Sequence, residues 1–247
     1  MTLNHPAAAR RIILFPIALL VLSALAVGGA GMFPATAEAK QFVVAIDAGH
    51  QAKANNKNEP IGPGSGTKKA SVSSGTSGVS THKAESVINL AVAKKLKTLL
   101  EAKGVKVVMI RTSEKVNIPN SKRAKMANDA GADLLIRLHC DSAGSKTRGV
   151  LMLVPGKNKW TGPIVKSSAI AGSAIQKAVL KATGAKSRGT SKRTDMAGFN
   201  WSKVPSVIVE MGVMSNKTDD KLLASSAYQQ KLATGMASGV MAYLKAK

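Results

Sequence analysis

Cysteine is almost missing from this sequence: Cys140 is the only one in 247 residues. That excludes an internal disulfide framework and any multi-cysteine zinc cluster. Aromatic residues are scarce at 3%, which weakens any reading that depends on stacking nucleic-acid bases. Acidic residues are few as well, with 13 Asp and Glu against 36 Lys and Arg, a formal charge of +23. An imbalance of that size points to a polyanionic partner: nucleic acid, anionic membrane or anionic wall polymer. Hydrophobic residues are not lacking. At 45% they support a real core, and the length allows one large domain or two small ones.

Only one long apolar run exists. Arg10 and Arg11 precede 19 uncharged residues, Ile12 to Ala30, and small-x-small cleavage candidates follow at Ala35–Ala37 and Ala37–Ala39. This is the three-part pattern of a secretory signal, so residues 1–39 are expected to be a signal peptide. The run is also close to the length that spans a bilayer, so an uncleaved leader would act as a membrane anchor. Either way residues 40–247 are expected to work outside the cytoplasmic membrane, secreted or at the cell wall. Nucleic acid is then a poor partner.

Along the remaining chain, apolar runs alternate with helical patterns. Strands are expected at 42–47, 106–110, 133–138, 149–154 and 206–209, and helices from Thr81 to Gly104 and over 120–130, 161–183 and 225–245. Thr81 is the expected cap of the first helix. Gln51 to Thr81, rich in Gly, Ser, Asn and Lys, reads as a long loop that lines a cleft. The pattern predicts a single α/β domain with a twisted, mostly parallel sheet flanked by helices. Functional groups in such folds gather beyond the carboxyl ends of the strands. Three strands deliver His50, His139 and Glu210 there.

Two imidazoles and a carboxylate, with a fourth position left to water, make up a catalytic zinc site. A second carboxylate could then move protons. Glu85 and Glu210 are both available, and spacing alone does not say which is ligand and which is base. Other residues have blander roles. His82 reads as an exposed helix-start residue. Cys140 follows His139 directly, so the two side chains point to opposite faces of a strand, and packing suits the thiol better than nucleophilic attack. Asp47 either orients a ligand or ends a strand. Ser215 and Asn216 shape a turn or touch substrate, and Phe199 and Trp201 fill the core or line the cleft.

Four segments occur in order: IDAGH at 46–50, Glu85, LLIRLHCDSA at 134–143 and VPSVIVEMGVMSN at 204–216. Together they resemble the zinc-dependent N-acetylmuramoyl-L-alanine amidases of the bacterial cell wall, across nearly all of residues 41–246. The segments EPIGPGSG at 59–66 and GFNWSKVP at 198–205 look most like the short wall-degrading amidases of spore-forming bacteria. The resemblance implies one Zn2+ per chain held by His50, Glu85 and His139, with Glu210 as the catalytic carboxylate. It implies hydrolysis of the amide between the lactyl group of N-acetylmuramic acid and the L-alanine of the stem peptide. Gln51, Cys140 and Asp141 depart from the usual family pattern, which puts the contacts behind the ligands and substrate preference in question. The expected partners are peptidoglycan and anionic wall polymers, the latter held by the positive surface in a salt-sensitive way. A monomer is expected. A non-catalytic wall-binding protein and a hydrolase built on Cys140 are the alternative readings.

Overall fold

The computed structural model describes residues 1, 2 and 41–247, so the expected signal peptide lies outside the described residues. In chain order the elements are β1 (Val43–Ala48), β2 (Asn55–Pro60), β3 (Lys68–Val72), α1 (Glu85–Glu101), β4 (Lys106–Met109), α2 (Asn120–Asp129) and β5 (Leu134–Asp141). There follow β6 (Val150–Pro155), α3 (Gly162–Thr183), β7 (Ser187–Arg193), α4 (Ala197–Asn200), β8 (Ser206–Val213), α5 (Lys217–Leu223) and α6 (Ser226–Lys245).

Six strands form one sheet in the order β4-β1-β5-β8-β6-β7. The pairs β4–β1, β1–β5 and β5–β8 are parallel, β8–β6 is antiparallel, and β6–β7 is parallel again. This is the mostly parallel α/β sheet that the alternation predicts. The central strands are apolar on nearly every residue because both faces are covered.

The two faces are not equivalent. Side chains alternate along a strand. On one face Val44, Ile46, Leu134, Ile136, Leu138, Val207 and Val209 meet α1, α3 and α6 in one continuous core. Each fully buried aliphatic side chain there contributes about 1.5–3 kcal/mol. The other face carries smaller apolar clusters around Ala45 and Leu135, and around Phe199 and Ile208. Between them the alternation places Asp47, Arg137, His139 and Glu210. Phe199 therefore fills core.

The expected loop 51–81 contains more order than its composition suggests. β2 and β3 form an antiparallel hairpin. Their sequences, NNKNEP and KKASV, carry almost no apolar alternation, because most of their side chains face solvent. The hairpin is pinned from outside. The indoles of Trp201 and Trp160 donate to the carbonyls of Pro60 and Pro63 at 2.9 and 2.8 Å. β7, with the sequence SRGTSKR, lacks an apolar pattern for the same reason and is an edge strand. Thr81 does not cap α1. The helix begins after Ala84, and the Thr81 hydroxyl instead donates to Asp220 Oδ1 at 2.5 Å. Asn216 caps α5, its side chain accepting from the amides of Thr218 and Asp219.

Helices α3 and α6 pack closely together. Gly235 and Gly239, one turn apart on α6, let the backbones meet. A Cβ on Gly239 would stand 2.4 Å from Ile175 Cα and 2.8 Å from the Ala174 carbonyl oxygen. Alanine is the better helix former by about 1 kcal/mol, so propensity and packing oppose each other here. Packing dominates, because the obstructing atoms are backbone. Gly239→Ala is expected to destabilise the protein by about 2 kcal/mol, measured by urea denaturation. A variant as stable as the parent would contradict this contact.

Candidate metal centre

The loop after β1 carries His50 and is held by buried guanidinium groups. Arg111 Nε donates to the Ala48 carbonyl at 2.7 Å and its Nη2 to the Gly49 carbonyl at 3.0 Å. Arg123 Nη2 donates to the His50 carbonyl at 3.0 Å and to Gln51 Oε1 at 3.1 Å. Gln51 thus belongs to the scaffold of the loop. Held this way, His50 adopts a left-handed backbone with φ of 61°, a strained conformation of the kind that gathers at functional sites.

Glu85, the first residue of α1, and His139, near the end of β5, meet His50. His50 Nε2 lies 3.1 Å from Glu85 Oε1. His139 Nδ1 lies 3.2 Å from the same oxygen and 3.1 Å from His50 Nε2. The rings are edge-on, at 79° to each other. His50 Nδ1 sits 2.9 Å from the Ser73 carbonyl oxygen, so this nitrogen carries the hydrogen and Nε2 presents a lone pair. Burial pushes His139 down to about 4, with the nearby His50 adding to the effect against the opposing pull of Glu85, so this imidazole is neutral. Burial alone would raise the Glu85 carboxyl. The two imidazoles beside it outweigh burial and favour the carboxylate, holding the group well below the usual carboxylate range.

Two imidazole nitrogens and one carboxylate oxygen therefore face one another within a triangle of 3.1–3.2 Å sides. Lone pairs gathered like this repel unless a proton or a cation stands between them. Such edges also suit a tetrahedral ion with bonds of about 2.0 Å. His50, Glu85 and His139 are the one group among the described residues able to hold a metal ion.

The surroundings are shaped to this group. Cys140 N–H donates to Glu85 Oε1 at 3.0 Å and Thr76 N–H to Oε2 at 3.1 Å, while Asn89 Nδ2 lies 3.3 Å from Oε1. Gly49 leaves room for the His139 ring, since a Cβ there would stand 2.3 Å from Nε2. A Cβ on Gly75 would stand 2.7 Å from Glu85 Oε2. Neither glycine, nor Asn89 or Ser73, stands out in the sequence by residue type.

Glu210 lies directly beside His139 in the β5–β8 register. The apolar pattern ends both strands at these residues. β5 and β8 in fact run on to Asp141 and Val213, through an irregular register just past His139 and Glu210. Such a bulge re-aims side chains next to a site. Glu210 Oε2 is buried with no hydrogen-bond partner among the described residues. Burial, then the charges of Glu85 and Asp141, push Glu210 up to about 8.

Asp47 neither touches an imidazole nor ends its strand in solvent. It is fully buried and accepts from Arg123 Nη1 at 2.7 Å and Arg137 Nε at 2.8 Å. Arg137 is a functional candidate that sequence reasoning misses, although a lone charge in the run DLLIRL is a signal that something pairs with it. The Cys140 thiol lies in the core on the opposite face, 3.6 Å from Asn89 Oδ1. Burial and the charges of Glu85 and Glu210 push it well above its ordinary value, which keeps it a thiol and removes the nucleophile that a cysteine hydrolase needs. Asp141 pairs with Arg188 at 2.7 Å, the Ser215 hydroxyl bonds the Ala143 backbone, and His82 is exposed on the turn before α1.

A carboxyl group held at about 8 when folded, against an ordinary value of 4.5, costs stability as pH rises. Below pH 4.5 both folded and unfolded chains are protonated and there is no cost. Between about pH 5 and 8 the unfolded chain alone gives up its proton. In metal-free protein, Glu210→Gln is therefore expected to match the parent's Tm near pH 4 and to exceed it increasingly up to about pH 8. Equal Tm values across that range would contradict the environment described.

The chain is similar in sequence and fold to known proteins. The N-acetylmuramoyl-L-alanine amidase family model matches residues 44–242. An N-acetylmuramoyl-L-alanine amidase of Mycobacterium tuberculosis is 32% identical over 214 residues, covering 82% of this chain and 86% of that protein. The solved N-acetylmuramyl-L-alanine amidase of Mycobacterium smegmatis superposes with a TM-score of 0.74 at 26% identity, covering 83% of this chain and 98% of that one. The catalytic domain of a Bacillus (Paenibacillus) polymyxa amidase superposes at 0.67 with 26% identity, covering 84% and 100%. Matched by the family model over most of its length and sharing the fold of these amidases, the chain belongs to the N-acetylmuramoyl-L-alanine amidase family.

Proposed function

We propose that this enzyme is a zinc-dependent peptidoglycan amidase in which His50, Glu85 and His139 hold the metal and Glu210 moves the proton. Family membership supplies the reaction, hydrolysis of the amide joining N-acetylmuramic acid to L-alanine. The observation that carries the assignment of roles is the inward-facing triangle of two imidazole nitrogens and one carboxylate oxygen, with an unpartnered carboxylate on the neighbouring strand.

The donor set fits zinc. Two neutral imidazoles and one carboxylate leave a coordination position open, and the His50 Nδ1 contact with the Ser73 carbonyl fixes ring and tautomer. Bound zinc supplies Lewis acidity toward water and toward a carbonyl oxygen. The chain does the rest. The cleft beside His50 and His139 receives the lactyl–alanine amide. Glu210 accepts the proton of the attacking water on its carboxylate. It returns that proton to the departing nitrogen of L-alanine, so the amine leaves neutral. A carboxyl group in dry surroundings that favour its protonated form suits the second step.

Export by residues 1–39 would bring the domain to the wall. No helix among the described residues is long and apolar enough to cross a membrane. The charge of +23 favours adsorption to anionic wall polymers, weakened by salt.

The test is product release from insoluble peptidoglycan. New L-alanine amino groups should appear without new reducing sugars, vanish on chelation and return with zinc. Glu210→Gln should retain zinc and lose at least about 100-fold in rate. Full activity in Glu210→Gln, or in metal-free protein, would overturn these roles. Reducing sugars without amines would overturn the reaction.

A further inference from the structure

A second depression, of about 520 Å³, shares no lining residue with the cleft beside His50 and His139. Its walls are Trp160, Trp201 and Pro63, with Lys125 and Asp129 from α2 and Lys203 from the loop before β8. The two indoles are fixed plates. Their N–H groups are spent on the Pro60 and Pro63 carbonyls. A Cβ on Gly62 would stand 2.6 Å from Trp160 Cε2, so the hairpin backbone packs against that ring.

Each plate holds an ammonium group. Lys125 Nζ stands 4.4 Å from the centre of the Trp201 ring, and Lys159 Nζ 4.7 Å from that of Trp160. An indole attracts a cation through the negative face of its π system. That attraction fixes the ammonium but leaves its charge whole, where a carboxylate would cancel it. Lys125, Lys159 and Lys203 are exposed, and none has an ion-pair partner among the described residues. Asp129 is the single carboxylate among the described residues of the lining, so three cations face one anion.

The neutral polar groups of the depression are already occupied. Asn128 donates to the Trp201 carbonyl at 2.9 Å and accepts from the Lys203 amide at 2.8 Å. Asn200 donates to the Thr194 carbonyl at 3.1 Å and accepts from Asn158 Nδ2 at 2.9 Å. The Ser202 hydroxyl donates to the Val204 carbonyl at 2.7 Å. An uncharged ligand finds few open partners here. The depression offers ammonium donors, three on each lysine, in front of rigid apolar plates.

Building on the amidase reading above, we infer that this depression is a second binding site, separate from the cleft, for the repeated anionic groups of a cell-wall polymer. Lys125, Lys159 and Lys203 take phosphate or carboxylate groups of one chain. A single exposed ion pair is weak. Several on one polymer reinforce each other, because after the first contact the others form within the same complex. The site thus gathers at one place what the overall positive charge does diffusely, and it holds the enzyme to the wall while the cleft works. A purely structural role is the competing account: the indoles pin the hairpin, and the lysines lie on them in solvent and bind nothing.

The experiment measures retention of the full chain on insoluble cell walls at about 0.1 M salt, where exposed charges are screened over about 10 Å. Lys125, Lys159 and Lys203 are changed together to Gln, which removes three charges and leaves both indoles in place. The control changes Lys94, Lys177 and Lys231 to Gln, exposed lysines of α1, α3 and α6 on the other side of the sheet. The two variants carry the same net charge. The site variant should bind about tenfold more weakly than the parent, and the control should stay within about twofold of it. Both should release L-alanine from a small soluble muramyl peptide at the parent's rate. Walls stripped of phosphate-bearing polymer identify the anion. If the parent's advantage over the site variant disappears there, the site takes phosphate; if it persists, the site takes carboxylates of peptidoglycan itself. A site variant retained like the parent on both walls, or a control weakened as much as the site variant, would overturn the site and leave the amidase reading standing. A parent inactive on the soluble peptide but showing the expected difference in retention would overturn the amidase reading alone.

Discussion

A carboxylate buried where water cannot reach it must be answered by positive charge or by hydrogen bonds. Glu85 is that group here, only 3% exposed at the head of α1. Its Oε1 receives the Cys140 amide from β5 and faces both imidazoles, while its Oε2 receives the Thr76 amide from the loop before the helix. Three separate pieces of chain thus close on one anion. The amides neutralise part of the charge. What remains is directed at the space between His50 and His139, which is where a cation would complete the balance.

The same reasoning explains why one sheet face is greasy and the other is not. The face under α1, α3 and α6 supplies the stability. That frees the opposite face to carry Asp47, Arg137, His139 and Glu210, groups that would be ruinous in an ordinary core. Each is offset locally: Asp47 by two guanidiniums, His139 by a lowered affinity for a proton, Glu210 by a raised one. Arg111 and Arg123 go further and use buried charge as mechanical support, gripping the carbonyls of residues 48–50 so that His50 keeps its left-handed turn. Rigid support of this kind is what a site needs when its donor atoms must stay within a few tenths of an ångström.

Much of this is legible from residue order. Apolar runs mark β1, β4, β5, β6 and β8, and the helical spacing of Ile88, Val92, Leu96 and Leu100 marks α1. His50 and His139 stand out because each follows such a run. What stays hidden has no hydrophobic signature. β2, β3 and β7 are solvent-facing strands held by indole hydrogen bonds, ion pairs and edge pairing, none of which imposes a period on the sequence. Thr81 looks like a helix cap because its partner, Asp220, is 139 residues away. Asp47 and Arg137 are visible as charges inside apolar runs, but only the folded register shows that they answer each other. Glu210 is visible at the end of an apolar run, although its place within β8 depends on a register shift that no local pattern announces.

The central claim is that His50, Glu85 and His139 bind one zinc ion through two nitrogens and an oxygen. Zinc-edge X-ray absorption on the purified, zinc-loaded chain tests it most directly. The account predicts one zinc per chain with only nitrogen and oxygen neighbours, at about 2.0–2.2 Å, and loss of that signal in His139→Ala. A sulfur neighbour at about 2.3 Å, which only Cys140 or a methionine could provide, or zinc bound equally well by His139→Ala, would contradict it.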